Sequence, residues 1–172
     1  MSAVTHLNPT SMHTVPAFSQ GTMTGSTVYV GGQNGIGTDG AIVKGGLGEQ
    51  SKQALRNVLT VLDAAGSGPE HVVKLNIYLP ADGDVNQGFA AAAEVWGPHP
   101  TAITVLRVAG FVVLDALVEI EAIAIVPLSP RHLVPEAPAR TSELPPDGRD
   151  QRRVAARSAA TEAAPHRHTR TP

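Results

Sequence analysis

The sequence predicts an α+β fold in which two helices cover one face of a mixed sheet. Three observations carry that expectation. Leu117 to Val126, LVEIEAIAIV, alternates as a strand does: Val118, Ile120, Ala122, Ala124 and Val126 make one apolar face, and Leu117, Glu119, Glu121, Ile123 and Ile125 make the other. Glu49 to Ala65 and Val85 to Trp96 each place apolar residues three and four apart, the spacing of one helical face. The elements follow one another in the order β-β-α-β-α-β-β. The apolar face of the last strand wants a helix over it. The opposite face carries Glu119 and Glu121, and buried carboxylates cost free energy unless donors, a cation or water meet them.

Residues 1 to 26 are rich in Thr, Ser, Gly and Pro and show no period, so an irregular lead-in is expected, ending at Thr24-Gly25-Ser26. Thr27 to Val30 reads as a short strand running into Gly31-Gly32, where the missing side chains permit a tight turn or close approach of a ligand. Without G-x-G-x-x-G spacing and a following helix this is no phosphate loop. Asp39-Gly40 suggests a hairpin turn, with Ala41 to Val43 returning. In the first helix Leu55, Val58, Leu59 and Leu62 form the stripe, and Lys52, Gln53, Arg56 and Asn57 fall elsewhere around it. Gly66 is a natural stop. Val72 to Leu79 alternates as a one-sided strand with Val73, Leu75, Ile77 and Leu79 inward. Asp84 can cap the second helix, whose stripe is Val85, Phe89, Ala92, Ala93 and Trp96. Gly97 to Pro100 stops it, and Thr101 to Ala109 gives the next strand.

At 172 residues the chain supports one core of ordinary size, assigned to residues 1 to 126. Having no cysteine, it can form no disulfide, no thiolate nucleophile and no Cys-based metal site, which fits a reducing compartment and makes the cytoplasm the expectation. The N-terminus lacks a basic segment followed by an apolar run, so a secretory signal is not expected. The most apolar window, Val105 to Val126, contains Arg107, Asp115, Glu119 and Glu121 and does not read as a membrane span. Up to Val126 five Lys and Arg face ten Asp and Glu, an acidic balance that argues against a nucleic-acid surface. Residues 127 to 172 hold eight of the fourteen prolines and eight Arg but no Ile, Met, Phe, Tyr or Trp, and are expected to be a disordered tail. His166 and His168, two apart on such a tail, fix no metal geometry, and neither a metal nor another cofactor is expected.

Over roughly residues 8 to 126 the chain resembles the RidA family, also called YjgF/YER057c/UK114. The resemblance rests on Pro16-Ala17-Phe18-Ser19-Gln20, on VYVGGQN, on QALRNVLTVLDAAGSGPEHVVKLNIYL and on LVEIEAIAIV. It implies a chorismate-mutase-like (YjgF-type) α+β fold assembled as a homotrimer, sheets forming an inner barrel, helices outside, and a small-molecule cleft between neighbouring subunits. Glu119 and Glu121 would then face an interface or a central cavity. The best-known members hydrolyse enamines and imines formed from amino acids. There a glutamate of the last strand helps place the attacking water, and an arginine grips the substrate carboxylate.

Carried over residue by residue, the resemblance puts Glu119 on that glutamate, Phe18 on the family's pocket tyrosine and Gly31 where a serine is common. The arginine falls on Ile103. Replacing a bidentate arginine by isoleucine removes two charge-assisted hydrogen bonds, about 3 to 6 kcal/mol of carboxylate binding. Arg107 shares a strand face with Ile103 but lies about 13 Å away at strand rise. The chain thus resembles the arginine-lacking branches of the family. Two functions follow as expectations. One is a hydrolytic deaminase in which Glu119 orders water and backbone groups at Gly31 and Gly32 orient a substrate. The other is a non-catalytic small-molecule-binding or interaction trimer using the same cleft, lined by Phe18, Ile103 and Val105. An endoribonuclease or translation inhibitor ranks last, because the acidic core offers neither paired histidines nor a basic groove.

Overall fold

The computed structural model describes residues 3–127. They form a six-stranded sheet with two helices on one face, the α+β arrangement expected. The strands are β1 (Thr5–Leu7), β2 (Gly21–Thr24), β3 (Thr27–Asn34), β4 (Val72–Pro80), β5 (Ala102–Val108) and β6 (Glu119–Ile125). The helices are α1 (Gly46–Ala64) and α2 (Val85–Trp96), and a short 3-10 turn at Pro69–His71 leads into β4. Across the sheet the order is β1-β2-β3-β6-β4-β5. Every neighbouring pair is antiparallel except β4 and β5, whose parallel pairing requires the crossover that α2 supplies.

The alternation of the last strand is realised as expected. Val118, Ile120, Ala122 and Ala124 are buried beneath the helices, joined by Val28, Val30, Leu75 and Leu79 from neighbouring strands. From α1, Leu55, Val58, Val61 and Leu62 complete this core, each worth about 1.5–3 kcal/mol of burial. The helix stops at a pair of bonds in which Ser67 N–H donates to Leu62 O and Gly66 N–H to Asp63 O, both at 2.9 Å. That closure needs the left-handed backbone of Gly66, at φ 74°. Asp84 caps α2 by accepting from Asn86 N at 3.0 Å, as its place before the stripe suggested.

Several expectations are corrected. The lead-in is not wholly irregular, because β1 and β2 pair antiparallel within it. Their few inward residues, Leu7 and Gly21 among them, are too short a run to show a period. The strand from Thr27 does not stop at Val30 but runs through Gly31-Gly32 to Asn34, with its register against β6 shifting between Val30 and Gln33. Ala41 to Val43 returns as a single bridge, Ile36 to Ile42, not as a strand. A second bulge, between Val72 and Lys74, turns Val72 inward and leaves Val73 exposed, against the simple alternation. In α2 Val85, Ala92 and Trp96 pack on the core as expected and Phe89 borders an apolar cavity, but Ala93 points outward, and Gly88 and Ala91 are buried although they lie off the expected stripe. α1 packs on β3 and β6, and α2 lies against α1, so small residues face the neighbouring helix. The tail assigned to residues 127 to 172 lies, but for Pro127, outside the described residues, as do His166 and His168.

Candidate functional site

At the register shift of β3 the sheet opens into a cleft of about 640 Å³. Five segments build it: the lead-in from Ser11 to Gln20, the end of β3 from Gly31 to Asn34, the turn at Ile36 to Thr38, α1 at Gln53, Arg56, Asn57 and Thr60, and the link at Val112-Val113. Glu119, the first residue of β6, closes the floor.

Glu119 is placed from both sides. Asn34 is its cross-strand partner, and the Asn34 amide donates to Glu119 Oε2 at 3.3 Å and to Val118 O at 2.9 Å. On the other side the carboxylate lies over Gly32, where a β-carbon would sit 2.1 Å from Glu119 Oε1. A side chain at that position and the carboxylate cannot occupy the same space, so the second glycine of the pair is a condition of the site.

A chain of amides holds the walls. Gln33, buried at 4% exposure, donates to Gln20 Oε1 at 3.0 Å and to Gly31 O at 3.2 Å, and Gln20 donates in turn to His13 O at 2.7 Å. These bonds lash the lead-in, and with it Phe18, to β3. The Phe18 ring stands 73% exposed on the rim. Asn57 turns inward from α1 and donates to Asn34 O at 3.1 Å and Ile36 O at 3.0 Å, while Gln53 donates to Asn57 Oδ1 at 2.9 Å. Gln50 fixes the far side by donating to Asp115 O and accepting from Leu117 N. Asp115, at φ 63°, occupies the left-handed region as the link turns into β6.

Of the residues singled out from sequence, Phe18, Gly31, Gly32 and Glu119 meet in this one cleft. Ile103 and Val105 do not join them within a single chain. They lie on β5, the sheet's edge, three strands from β3. Val105 borders a separate apolar cavity of about 20 Å³ under α2, and Ile103 stands 45% exposed. Arg107 Nη1 donates to Ala81 O, which turns it away from the Glu119 cleft. Sequence reasoning missed Gln20, Gln33, Asn34 and Asn57, the residues that hold the site together. Asn57 was placed off the apolar stripe, and the only signal for it is that an asparagine sits at a position adjoining Val58 on a packed helix.

Glu121 also finds partners inside the chain: Asn76 Nδ2 at 3.3 Å and the Tyr78 hydroxyl at 3.0 Å. The bond to Glu121 raises the Tyr78 pKa, with partial burial adding to it. Both carboxylates therefore meet donors without a neighbouring copy, and the polar face does not by itself demand one. Among the described residues no group of three or more His, Asp or Glu could hold a metal ion. No helix among them is long and apolar enough to cross a membrane.

The family described as Endoribonuclease L-PSP matches residues 9–126. A RutC family protein of Pyrococcus horikoshii is 35% identical over 111 residues, 62% of this chain and 85% of that protein. A rat protein named 2-iminobutanoate/2-iminopropanoate deaminase is 35% identical over 115 residues, covering 64% of this chain and 81% of its own. Among solved structures, YyfA of Yersinia pestis, described as a protein of unknown function of the conserved Rid protein family, superposes with a TM-score of 0.67 at 27% identity, covering 72% of this chain and 100% of that one.

Proposed function

This chain belongs to the Endoribonuclease L-PSP family, the RidA/YjgF group, and from that premise we propose that its cleft is a small-molecule site for hydrolytic deamination of enamine or imine metabolites. The observation that carries the proposal is the Glu119 carboxylate, fixed by Asn34 and exposed to the cleft over Gly32. A carboxylate so held can orient a water molecule and take its proton as the oxygen adds to the imine carbon. Glu119 passes that proton to the nitrogen, the hydroxyl of the resulting carbinolamine gives up its own proton to the nitrogen as its oxygen becomes the carbonyl, the carbon–nitrogen bond breaks, and ammonia and a carbonyl compound leave. No cofactor is needed for this addition and elimination.

The second reading, a binding site without turnover, is favoured by the isoleucine at 103, the position to which the family resemblance assigns the carboxylate-gripping arginine. An endoribonuclease remains last, since the cleft contains one histidine, His13, and one arginine, Arg56. We propose further that three copies assemble, a neighbour's β5 bringing Ile103 and Val105 to the cleft mouth. What supports this is the unpaired outer edge of β5 and the apolar side chains around it, with Val112 at 101% and Leu114 at 85% exposure. Residues 1–126 would be the functional unit, working in the cytoplasm.

Ammonia release from 2-iminopropanoate and 2-iminobutanoate generated in solution tests the proposal. Wild-type protein should turn these over feebly, and Glu119→Gln should abolish what there is. Release that survives Glu119→Gln intact would assign the water to another group.

A further inference from the structure

Position 103 offers no cation and Arg107 is turned to the Ala81 carbonyl, yet the cleft is not without positive charge. Arg56 lines it, exposed on α1 between the half-buried Gln53 and Thr60, about one turn from each. Its main-chain carbonyl accepts from the Thr60 hydroxyl at 2.8 Å, while among the described residues its guanidinium forms no ion pair. Between it and Glu119 runs a chain of bonds, its neighbour Asn57 donating to Asn34 O and the Asn34 amide donating to the carboxylate. The cleft is therefore bipolar, with an anion at its floor and a cation on its helical wall.

Resting on the deaminase reading above, we propose that Arg56 is the oxyanion-binding residue of this cleft, and that its ligands carry a carboxylate or phosphate set back from the reacting carbon. A 2-imino acid has its carboxylate on the carbon that water must attack, so Glu119 would face that carboxylate directly and repel it. A ligand with two or more carbons between the two groups can lay the reacting carbon at Glu119 and its acid group at Arg56. Guanidinium presents a planar fork of donors that matches either oxyanion. An apolar residue at 103 and a cation at 56 then describe a grip on the helical wall, with a longer substrate.

Binding measured by calorimetry on the full chain tests this without requiring turnover. The probes are 2-oxobutanoate, 4-oxopentanoate, the neutral 4-oxopentanamide and inorganic phosphate. We expect 4-oxopentanoate to bind at least about tenfold more tightly than 2-oxobutanoate or the amide. Arg56→Gln should erase that preference and Arg56→Lys should restore part of it, while the amide's affinity stays level. Displacement of 4-oxopentanoate by millimolar phosphate in wild type, lost in Arg56→Gln, would extend the ligands to phosphate esters; without displacement they are carboxylates. Equal binding of the two oxo acids, or a preference that survives Arg56→Gln, overturns the proposal. Because deamination is read separately, binding through Arg56 with no ammonia from any imine would sink the deaminase reading and leave this one standing. Ammonia release indifferent to Arg56→Gln would do the reverse.

Discussion

Gly32 decides whether Glu119 can lie where it does. Gly32→Ala places a β-carbon on the carboxylate oxygen, and because the clash is with the flexible Glu119 side chain and no backbone atom, Glu119 swings off the cleft floor at small cost in stability. Ligand binding should fall with little change in melting temperature, and Gly32→Ala with unaltered affinity would mean Glu119 does not meet the ligand. At Ile103 the expectation runs the other way. Ile103→Arg places a cation at the position to which the family resemblance assigns the carboxylate-gripping arginine, and ammonia release from 2-iminobutanoate should rise at least about tenfold, with little change in stability at that exposed edge. Tyr78 gives a pH test. Its folded-state pKa lies above the ordinary value of about 10, so its bond to Glu121 contributes fully below that pH and is lost as pH rises through the folded value. Between pH 9 and 11 the urea midpoint of wild type should fall more steeply than that of Tyr78→Phe. Phe18, Gly31 and Glu119 were legible through family resemblance, but Asn34 and Gln33 were not. An amide that bonds a carbonyl across the fold, as Asn34 does to Val118, 84 positions on, leaves no periodic trace in sequence.

At the level of elements, α1 is both core and wall. Its apolar stripe was legible because 3.6-residue spacing is imposed by packing on β3 and β6. Among its buried polar residues, Asn57 was not, because it is buried for two main-chain acceptors at Asn34 and Ile36. Asn57→Leu keeps the branched shape but adds bulk and removes both donors, and should cost about 1–3 kcal/mol in denaturant unfolding while loosening the turn at Ile36. A neutral result would show that water replaces the amide. The bulges at Val30/Gln33 and Val72/Lys74 were likewise invisible, since one added residue flips every later side chain only relative to a partner strand that sequence does not name. α2 was placed to the residue at both ends by Asp84 and Gly97, yet its inward stripe differs because it leans on α1 at Gly88 and Ala91. A β-carbon added at Gly88 would meet Ser51 Oγ at 3.7 Å and Leu47 Cδ2 at 3.8 Å, ordinary contact distances. Lys52, bonded to Glu94 of α2 at 2.7 Å and to Glu49 at 3.2 Å, ties the helices at their surface. Exposed pairs of this kind contribute little, so Lys52→Ala should shift stability by no more than about 1 kcal/mol.

For the whole molecule, light scattering should find three copies at micromolar concentration if neighbouring β5 edges complete the clefts. A monomer that retains Arg56-dependent binding would confine the site to one chain. The sheet order has a further consequence for how the molecule comes into being. β6 is the last of the described strands to be synthesised and sits in the middle, between β3 and β4. Until Ile125 has emerged from the ribosome, a nascent chain possesses two half-sheets, each with a bare apolar edge and nothing to join them. Folding must wait for the final strand and then proceed at once, as expected where the essential contacts span most of the chain. A release-arrested chain ending at Ala116 should therefore stay protease-sensitive and bind chaperones, while one extended past Val126 should snap into resistance without passing through a stable half.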